Sequence, residues 1–410
     1  MINIAVMGYG TVGSGVVEVL RRNEKVINGR VGEDIHVKYV LDLRGFPGDP
    51  VEEILVHEFD TILNDPEIKV VVEVMGGLKP AYEFTKASLQ AGKSVCTSNK
   101  ELVQKHGAEL IKIAAENNCN YLFEASVGGG IPIIRPINSC LTAEEFDEIT
   151  GIINGTTNYI LSKMFFEGAE YGDVLRDAQK KGYAELHPEA DVEGFDACRK
   201  ISILSSLVTG KQVDFEDVPT EGITKISADD MKYAHLMEKQ IKLFATSRKM
   251  GDTRAVMVAP FMIGREHPLY GVNDVFNAIM VRGNMLGEAM FYGQGAGKLP
   301  TASAVVSDVV ESAKHLGKNI PVKWSEEKLA LADAGSIKSR FFVRIRGDRS
   351  DLNEMQKIFS ELQKTFGQVE IVDAGISGEF GFVTDVITGN EFNEQIRKID
   401  KVIHWIRVEA

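Results

Sequence analysis

The sequence is poor in features that would mark a disulfide-rich, zinc-binding or nucleic-acid-binding protein. Its 410 residues include four cysteines, none of them in a CxxC pair: Cys96, Cys119, Cys140 and Cys198. This spacing argues against a disulfide framework or a zinc site and favours reduced thiols in a cytoplasmic protein. Basic charge is also scarce, since 46 Lys and Arg face 59 Asp and Glu and give a net charge of -13. That balance argues against nucleic-acid and anionic-membrane partners, because both attract clustered cations.

Long apolar runs are missing as well. No uninterrupted stretch approaches the roughly 20 residues that a membrane span needs. The apolar start MINIAVMGYG has neither a basic leader nor a cleavage site, so we interpret it as a first strand. With 44% hydrophobic and 26% charged residues, the composition is typical of a soluble globular protein. A chain of 410 residues is too long for one ordinary core, and we expect two or three domains.

Strand and helix patterns alternate at the start of the chain. Strands are predicted at 2–7, 36–43, 70–75, 94–99 and 120–127, with helices at 14–23, 81–92 and 100–118. The alternation predicts an α/β fold with a Rossmann-type parallel sheet wound on both faces. We therefore expect a first domain over residues 1–130.

The loop Gly128-Gly129-Gly130 ends this alternation. Residues 131–294 mix helices with strands such as 255–263 and 278–283, which indicates an α+β domain for catalysis, substrate binding and dimerisation. An amphipathic helix follows, and we expect residues 295–320 to return to the first domain. Residues 317–340 are interpreted as a linker, and 341–410 as a βαββαβ domain.

A glycine-rich turn, Gly8-x-Gly10-x-x-Gly13, follows the first strand and opens a helix. In this context the pattern predicts dinucleotide binding, because glycines let backbone N–H groups approach a pyrophosphate at a helix N-terminus. The acidic residue expected about 20 positions further on is absent, since residues 23–34 are inserted before the second strand. Asp42 would favour the ribose hydroxyl of NAD and Arg44 the extra phosphate of NADP, so both cofactors stay open.

Residues 178–200 contain an unusual array of charged side chains: Glu185, Asp191, Asp196 and Lys200. The last two are one helical turn apart beside an apolar stripe, although a solvated ion pair is the alternative interpretation. A second lysine, Lys100, follows a predicted strand at the sheet edge where ligands bind. Carboxylates can hold an ammonium group and a lysine can transfer a proton at a carbonyl oxygen. Together with the glycine-rich turn, the array predicts hydride transfer to a substrate with an amine at one end and a reducible carbonyl at the other.

Several stretches together resemble homoserine dehydrogenase. They are residues 178–200, VVEVMGG (71–77), TSNKELV (97–103), FEASVGGGIP (123–132), GIINGTTNYIL (151–161) and GAGKLPTASAVVSD (295–308). His187 departs from the Asp, Asn or Ser that this family usually has before the proline. The resemblance covers residues 1 to about 320. It implies NAD(P)-dependent interconversion of L-aspartate 4-semialdehyde and L-homoserine, a step of threonine, methionine and isoleucine biosynthesis.

The resemblance also implies roles for individual residues. Lys200 and Lys100 would transfer the proton at the C4 oxygen, and Asp196 would orient a water or the lysine. Glu185 would bind the substrate ammonium and Asp191 its polar end, in a pocket that Gly155 and Thr156 line. The implied cofactor-binding residues are Gly8, Gly10, Thr11, Val12, Gly13, Asp42, Arg44, Gly76, Ser98, Lys100, Gly295, Gly297 and Thr301.

A monovalent cation, Na+ or K+, is implied near the end of the first domain. Its ligands would be the side chain of Glu124 and the backbone carbonyls of Val127, Gly129 and Ile131. One carboxylate with several carbonyls suits a hard, singly charged ion. A plain glycine-rich hinge is the alternative.

The C-terminal βαββαβ unit resembles an ACT domain, a regulatory module that binds amino acids. Its first loop, GDRSDL (347–352), lacks the glycine that such domains usually place before their first helix. An amino-acid effector and a role in oligomer contacts therefore both stay open. We expect a homodimer or homotetramer, because exposed sheet edges invite pairing with another copy.

Two other functions compete with the dehydrogenase. One is another NAD(P)-dependent reductase of the same architecture, acting on a different amino-acid aldehyde or imine. The array at 178–200 counts against it, because such an enzyme would not need this arrangement. The other is a non-catalytic amino-acid sensor, which has no reason to keep the three glycines of the turn together with both lysines.

Overall fold

A computed structural model describes residues 1–347 and 351–409, and the chain divides into two compact units. The first unit contains residues 1–146, 199–215 and 283–329. The second contains residues 147–198, 216–282 and the chain from 330 onward. Each unit is therefore assembled from separated stretches of the sequence. None of the helices in the described ranges has both the length and the apolar composition that a membrane span requires.

Strands and helices share the chain as follows. The strands are β1 (Ile2–Met7), β2 (Ile35–Leu41), β3 (Leu55–Val56), β4 (Ile68–Glu73), β5 (Ser94–Thr97), β6 (Tyr121–Leu122), β7 (Phe146–Ile152), β8 (Gln240–Met250), β9 (Thr253–Ile263), β10 (Phe276–Gly283), β11 (Gly287–Gln294), β12 (Lys338–Arg346), β13 (Val369–Val372), β14 (Glu379–Thr384), β15 (Ile387–Thr388) and β16 (Val402–Val408). The helices are α1 (Thr11–Arg22), α2 (Glu24–Val31), α3 (Phe59–Leu63), α4 (Ala81–Gln90), α5 (Lys100–Glu116), α6 (Gly155–Glu167), α7 (Tyr171–Lys180), α8 (Glu189–Val192), α9 (Phe195–Thr209), α10 (Ala228–Leu236), α11 (Lys298–Lys314), α12 (Leu352–Phe366) and α13 (Gly389–Ile396).

The first unit is built around a parallel sheet with the strand order β3-β2-β1-β4-β5-β6. Strand β1 pairs in parallel with β2 on one side and with β4 on the other. The interior of these strands is rich in valine, and Val70 and Val72 are fully buried, as expected of a parallel sheet covered on both faces. The strand order reverses between β1 and β4, and the carboxyl ends of such neighbouring strands form a ligand-binding crevice.

Helix α11 completes the first unit although it comes late in the chain. It packs on α1 so closely that a Cβ added to Gly15 would lie 2.9 Å from the Cβ of Ala302. An ion pair supports the same contact, with 2.8 Å between Lys298 Nζ and Glu18 Oε2. The buried side chains of α11, among them Val305, join the core formed by β1 and β4.

The second unit contains most of a mixed sheet, in which its strands follow the order β10-β7-β8-β9-β16-β12-β14-β13. Strands β8 and β9 form a long antiparallel ladder from the pair Gln240 and Ile263 to the pair Met250 and Thr253. The last strand, β16, pairs in parallel with β9 through Arg407 and Val408. The C-terminal elements thus extend the sheet of the second unit.

A buried ionic cluster anchors these C-terminal elements to α10. Arg344 on β12 donates to Asp230 at 3.0 Å, to Glu379 at 2.9 Å and to the hydroxyl of Ser227 at 2.8 Å. His404 on β16 approaches Asp230 at 3.2 Å. Removing one partner of such a cluster would leave a buried charge uncompensated, so the cluster fixes α10 against three strands.

The sequence predictions hold for most elements, and the predicted α/β class with a Rossmann-type sheet is confirmed. The prediction of one strand over 120–127 is wrong, because β6 ends at Leu122 and residues 124–126 form a 3-10 turn. We predicted no helix or strand for the insertion at 23–34, but it forms α2, in which Ile27 is buried. Within residues 317–340, which we interpreted as a linker, Trp324 is buried and its ring lies close to Gly107. Strands β7, β8 and β11 were not predicted.

Candidate active site

The glycine-rich turn in the first unit connects β1 to α1. Gly8 adopts φ +97°, a left-handed conformation that favours glycine. A Cβ added to Gly13 would overlap the carbonyl oxygen of Gly8, so no larger residue fits there. Gly10 caps α1, and a Cβ on it would meet nothing within 4 Å. The turn therefore offers open space and backbone N–H groups at a helix N-terminus, which suits a pyrophosphate.

Asp42 lies at the carboxyl end of β2, beside this turn. Its Oδ2 accepts from the backbone N–H of Tyr9 at 2.8 Å and from Arg44 Nη2 at 2.9 Å. Its Oδ1 accepts from the N–H of Arg44 at 3.0 Å and from Arg44 Nε at 2.9 Å. The Arg44 guanidinium holds the pKa of Asp42 well below its usual range. Arg44 itself is 63% exposed at its side chain, so one face of its guanidinium is open to a ligand.

A cleft of about 830 Å³ opens beside Asp42 and the glycine turn. Five predicted cofactor residues are among its lining: Gly8, Gly10, Asp42, Arg44 and Gly76. The lining also includes residues that the sequence did not single out: Leu43, His57, Phe59, Met75, Lys79, Pro80 and Phe84. Phe59 and Phe84 stack with ring centroids 4.1 Å apart. A cleft of this size with an aromatic wall and a charged rim is suited to a dinucleotide.

The remaining predicted cofactor residues belong to the same unit. Thr11, Val12 and Gly13 form the first turn of α1. Ser98 and Lys100 follow β5, where Asn99 caps α5 by accepting from the N–H of Leu102 at 3.2 Å. Gly297 adopts φ +119° and caps α11, and its carbonyl accepts from the N–H of Thr301 at 3.1 Å. Gly295 lies so close to Gly129 that a Cβ on the latter would meet the Gly295 carbonyl.

Two predicted carboxylates of the second unit meet at the side-chain amide of Asn154. Asn154 Nδ2 donates to Asp191 Oδ1 at 2.7 Å and to Asp196 Oδ2 at 2.8 Å. Asn154 Oδ1 accepts from the N–H of Thr157 at 2.9 Å, so the same residue caps α6. Asn154 is 5% and Asp196 3% exposed. Like charges held this close in a buried place repel, and the shared amide donor offsets part of that cost.

Glu185 is not part of this cluster. Its side chain is exposed, and its carbonyl accepts from Gln179 Nε2 at 3.0 Å. The loop that carries it is tied down by Thr156, whose hydroxyl donates to the carbonyl of Tyr183 at 2.7 Å. Thr156 therefore anchors the loop, and His187 lies exposed in it. Gly155, at the start of α6, has a carbonyl of Val275 3.0 Å from where its Cβ would be.

Lys200 lies on α9, one helical turn after Asp196, and is 9% exposed. A lysine this buried is uncommon, because desolvation disfavours the ammonium ion. The preceding residue, Arg199, lies 4.0 Å from Glu101 in the first turn of α5. Within the first unit, the turns that carry Lys200 and Lys100 are therefore neighbours.

Glu124 is 3% exposed, and its carboxylate caps the segment after the glycine loop. Its oxygens accept from the N–H groups of Ile133 at 2.6 Å, Ile134 at 2.8 Å and Arg135 at 2.7 Å. Burial, and then the Glu124 carboxylate, raises the pKa of nearby Asp308 to about 7. Over the described ranges, no group of three or more His, Cys, Asp or Glu side chains is arranged to hold a metal ion. Val127, Gly129 and Ile131 could contribute only backbone carbonyls.

Sequence reasoning missed the residues that join these clusters. Asn154 directly precedes the predicted pocket residues Gly155 and Thr156, but the carboxylates that it bridges lie 37 and 42 positions further along the chain. His57, Phe59 and Phe84 carry no motif that could have predicted them. Met75 and Lys79 could have been found, because Met75 lies within the VVEVMGG stretch (71–77) and Lys79 follows it by two residues.

Comparisons with known proteins agree with this geometry. A family model described as the NAD binding domain of homoserine dehydrogenase matches residues 8–124, and the homoserine dehydrogenase model matches residues 132–310. A homoserine dehydrogenase of Bacillus subtilis is 36% identical over 376 residues, covering 90% of this chain and 87% of that protein. The crystal structure of a homoserine dehydrogenase from Thiobacillus denitrificans has a TM-score of 0.88 at 34% identity, covering 100% of this chain and 98% of that one. A hyperthermophilic archaeal homoserine dehydrogenase in complex with NADPH has a TM-score of 0.65 at 27% identity, covering 76% and 97%.

The dinucleotide turn, the parallel sheet and the buried lysine and carboxylates define an NAD(P)-dependent oxidoreductase. Both family models describe homoserine dehydrogenase, and the relatives of that name match this chain over most of their length. The chain belongs to the homoserine dehydrogenase family. Its reaction is the hydride transfer that interconverts L-aspartate 4-semialdehyde and L-homoserine.

The bridge at Asn154 leads to a first prediction. In Asn154→Ser the hydroxyl keeps the α6 cap but no longer reaches both carboxylates, so Asp191 and Asp196 lose their common donor. We expect the KM for homoserine to rise about tenfold or more, since a loss of about 1.4 kcal/mol is tenfold. Thermal unfolding should move to a lower temperature, because the carboxylates lose the donor that offsets their repulsion, whereas the Kd of the oxidised cofactor should stay as in the wild type. A wild-type KM would show that the bridge has no part in substrate binding.

Proposed function

We propose that Lys200 and Lys100 transfer the proton at the C4 oxygen of the substrate and that carboxylates bind its ammonium group. The observation that carries this proposal is the buried Asn154 bridge between Asp191 and Asp196, beside a helix that also bears the buried Lys200. When bound, the reduced nicotinamide supplies a hydride to the carbonyl carbon. A lysine ammonium then gives a proton to the oxygen, which becomes the hydroxyl of homoserine. In the reverse direction the neutral lysine accepts that proton.

We assign the substrate amine to Asp191. Asn154 holds this carboxylate beside the start of α6, and its negative charge would attract an ammonium group. Asp196 accepts from Asn154 through Oδ2. Its role is to orient Lys200, one turn further along α9, or a water. Glu185 would reach the substrate from an exposed loop that Thr156 anchors, and Gly155 lets the start of α6 approach the carbonyl of Val275 closely.

Replacing Lys200 tests this assignment. Lys200→Met keeps a long apolar stem in the buried position but removes the proton donor, so kcat should fall about 100-fold or more. The Kd of the oxidised cofactor should change less than about threefold, because Lys200 lies away from the cofactor cleft. The measurement is reduction of the cofactor by homoserine, followed by absorbance. Lys112→Met, an exposed residue of α5, serves as the matched control. A near-normal kcat in Lys200→Met would refute the role.

For the cofactor, we propose that this chain prefers NADP over NAD. Ionised carboxylates have about four acceptor sites, and Asp42 uses four in its contacts with Tyr9 and Arg44. It therefore has little capacity left for a ribose hydroxyl. The Arg44 guanidinium, fixed by Asp42 yet largely exposed, is arranged to receive a phosphate at the rim of the cleft.

Arg44→Ala should therefore separate the two cofactors. We expect the Kd of oxidised NADP to rise about tenfold or more, in line with the loss of a charged hydrogen bond of about 1.5–3 kcal/mol. The Kd of oxidised NAD should stay the same or fall, because Asp42 regains acceptor sites. Titration of each cofactor without substrate measures both values. Arg30→Ala, an exposed arginine of α2, is the control. Equal losses for both cofactors would contradict the assignment.

A monovalent cation, Na+ or K+, is proposed near Glu124. The carboxylate accepts three N–H bonds, which leaves about one of its four acceptor sites for an ion. The carbonyls of Val127, Gly129 and Ile131 would supply the other ligands. Replacing K+ and Na+ by choline at constant ionic strength should lower activity. Unchanged activity would leave Glu124 as a helix cap alone.

Residues 341–409 are proposed to form an ACT-like regulatory unit within a homodimer or homotetramer. The support is the order of elements from β12 to β16, which is βαββαβ apart from the short β15. The loop GDRSDL, which bears on an amino-acid effector, has residues 348–350 outside the described ranges. Sedimentation velocity of the full chain with and without threonine measures both assembly and its response. A monomer that ignores threonine would contradict both parts.

A further inference from the structure

A buried carboxylate that none of these roles uses lies at the end of β4. Glu73 is fully excluded from solvent, and its burial raises its pKa. Its Oε2 accepts from the hydroxyl of Thr97 at 2.7 Å, and its Oε1 accepts from the N–H of Met75 at 2.9 Å. Burying a carboxyl group costs free energy unless hydrogen bonds compensate it, so this group is retained against a cost.

One branch of these contacts leads to Lys100. The hydroxyl of Thr97, which donates to Glu73, accepts from the N–H of Asn99 at 2.9 Å. Asn99 in turn caps α5 by accepting from the N–H of Leu102 at 3.2 Å. Helix α5 begins at Lys100. The backbone that orients this lysine is therefore linked to Glu73 by hydrogen bonds through Thr97 and Asn99.

The other branch leads to the cofactor cleft. Glu73 accepts from Met75, and both Met75 and Gly76 line the cleft. Gly76 and Gly77 have φ +79° and +68°, a left-handed turn that glycine adopts without strain. Asn99 Nδ2 donates to the carbonyl of Gly77 at 2.6 Å. The turn at 75–77 and the start of α5 are therefore tied both to Glu73 and to each other.

We propose that Glu73 is a positioning residue for hydride transfer, which fixes the Met75–Gly77 turn and the first turn of α5 in one common geometry. It acts through Thr97 and Asn99 and not by touching the substrate. Hydrogen bonds in a buried network are strong and directional, and a misplacement of about 1 Å at a reacting group can lower the rate about 100-fold. The inference rests on the proposed role of Lys100 in proton transfer.

Glu73→Gln is the first test. Glutamine keeps the size of the side chain but turns one acceptor oxygen into an NH₂ group, which faces the hydroxyl of Thr97 or the N–H of Met75. We expect kcat to fall about 100-fold and the Kd of oxidised NADP to rise about tenfold. Glu67→Gln is the matched control, because Glu67 lies just before β4 and its side chain is 65% exposed. Wild-type kcat and Kd in Glu73→Gln would overturn the proposal.

A double-mutant cycle with Lys100→Met separates positioning from general damage. If Glu73 acts through Lys100, adding Glu73→Gln to Lys100→Met should lower kcat less than threefold further. The same double variant should still show the tenfold weaker Kd for oxidised NADP. A full additional 100-fold loss of kcat would overturn the proposal. A normal kcat in Lys100→Met would contradict the proposed role of Lys100. In that case a low kcat in Glu73→Gln would show that Glu73 does not act through Lys100.

A pair of substitutions at Thr97 provides an independent measurement if Glu73→Gln does not fold. Thr97→Val keeps the shape but removes the hydroxyl that links Glu73 to Asn99, so it should reproduce the loss of kcat. Thr97→Ser restores the hydroxyl and should recover most of the activity. Equal kcat in the two variants would overturn the proposal, because the link through the hydroxyl would then have no effect.

Discussion

Two carboxylates that share one amide set the constraint for the substrate side of this enzyme. Asp191 and Asp196 come from different helices, and both accept from Asn154. Asn154 is itself fixed as the cap of α6. In the proposed role of these carboxylates, the negative potential that an ammonium group needs is present before the substrate arrives. Enzymes gain from such preorganisation, because the groups do not have to reorient during binding or reaction.

The cofactor side depends on a similar use of backbone and carboxylate contacts. Gly8 and Gly13 approach so closely that side chains are excluded, which leaves the helix N-terminus open to phosphate groups. Asp42 is held by the backbone of Tyr9 on this turn and by Arg44 at the rim of the cleft. One carboxylate therefore connects the glycine-rich turn with the side chain that we propose to select the cofactor.

The C-terminal elements are part of the architecture of the second unit. Strand β16 pairs with β9, and Arg344 binds Asp230 of α10 inside the fold. Breaking either contact would expose a strand edge or leave a buried charge without compensation. A ligand that displaced β12 or β16 would therefore act directly on the sheet that also contains β7, the strand that precedes Asn154.

The sequence by itself determined the local elements and the chemistry they carry. Strong periodicity predicted β1 and α5 closely, and the glycine turn and the array at 178–200 identified the kind of reaction. It could not determine where β6 ends, because Glu124 turns back to cap residues 133–135. Only the tertiary structure showed that Asn154 bridges two carboxylates and that Arg44 fills the acceptor sites of Asp42. The same is true of the hydrogen bonds that link Glu73 through Thr97 to the start of α5. The first and third depend on hydrogen bonds between residues from different segments. The second depends on how many donors surround one carboxylate. Both kinds of contact exist only once the chain is folded.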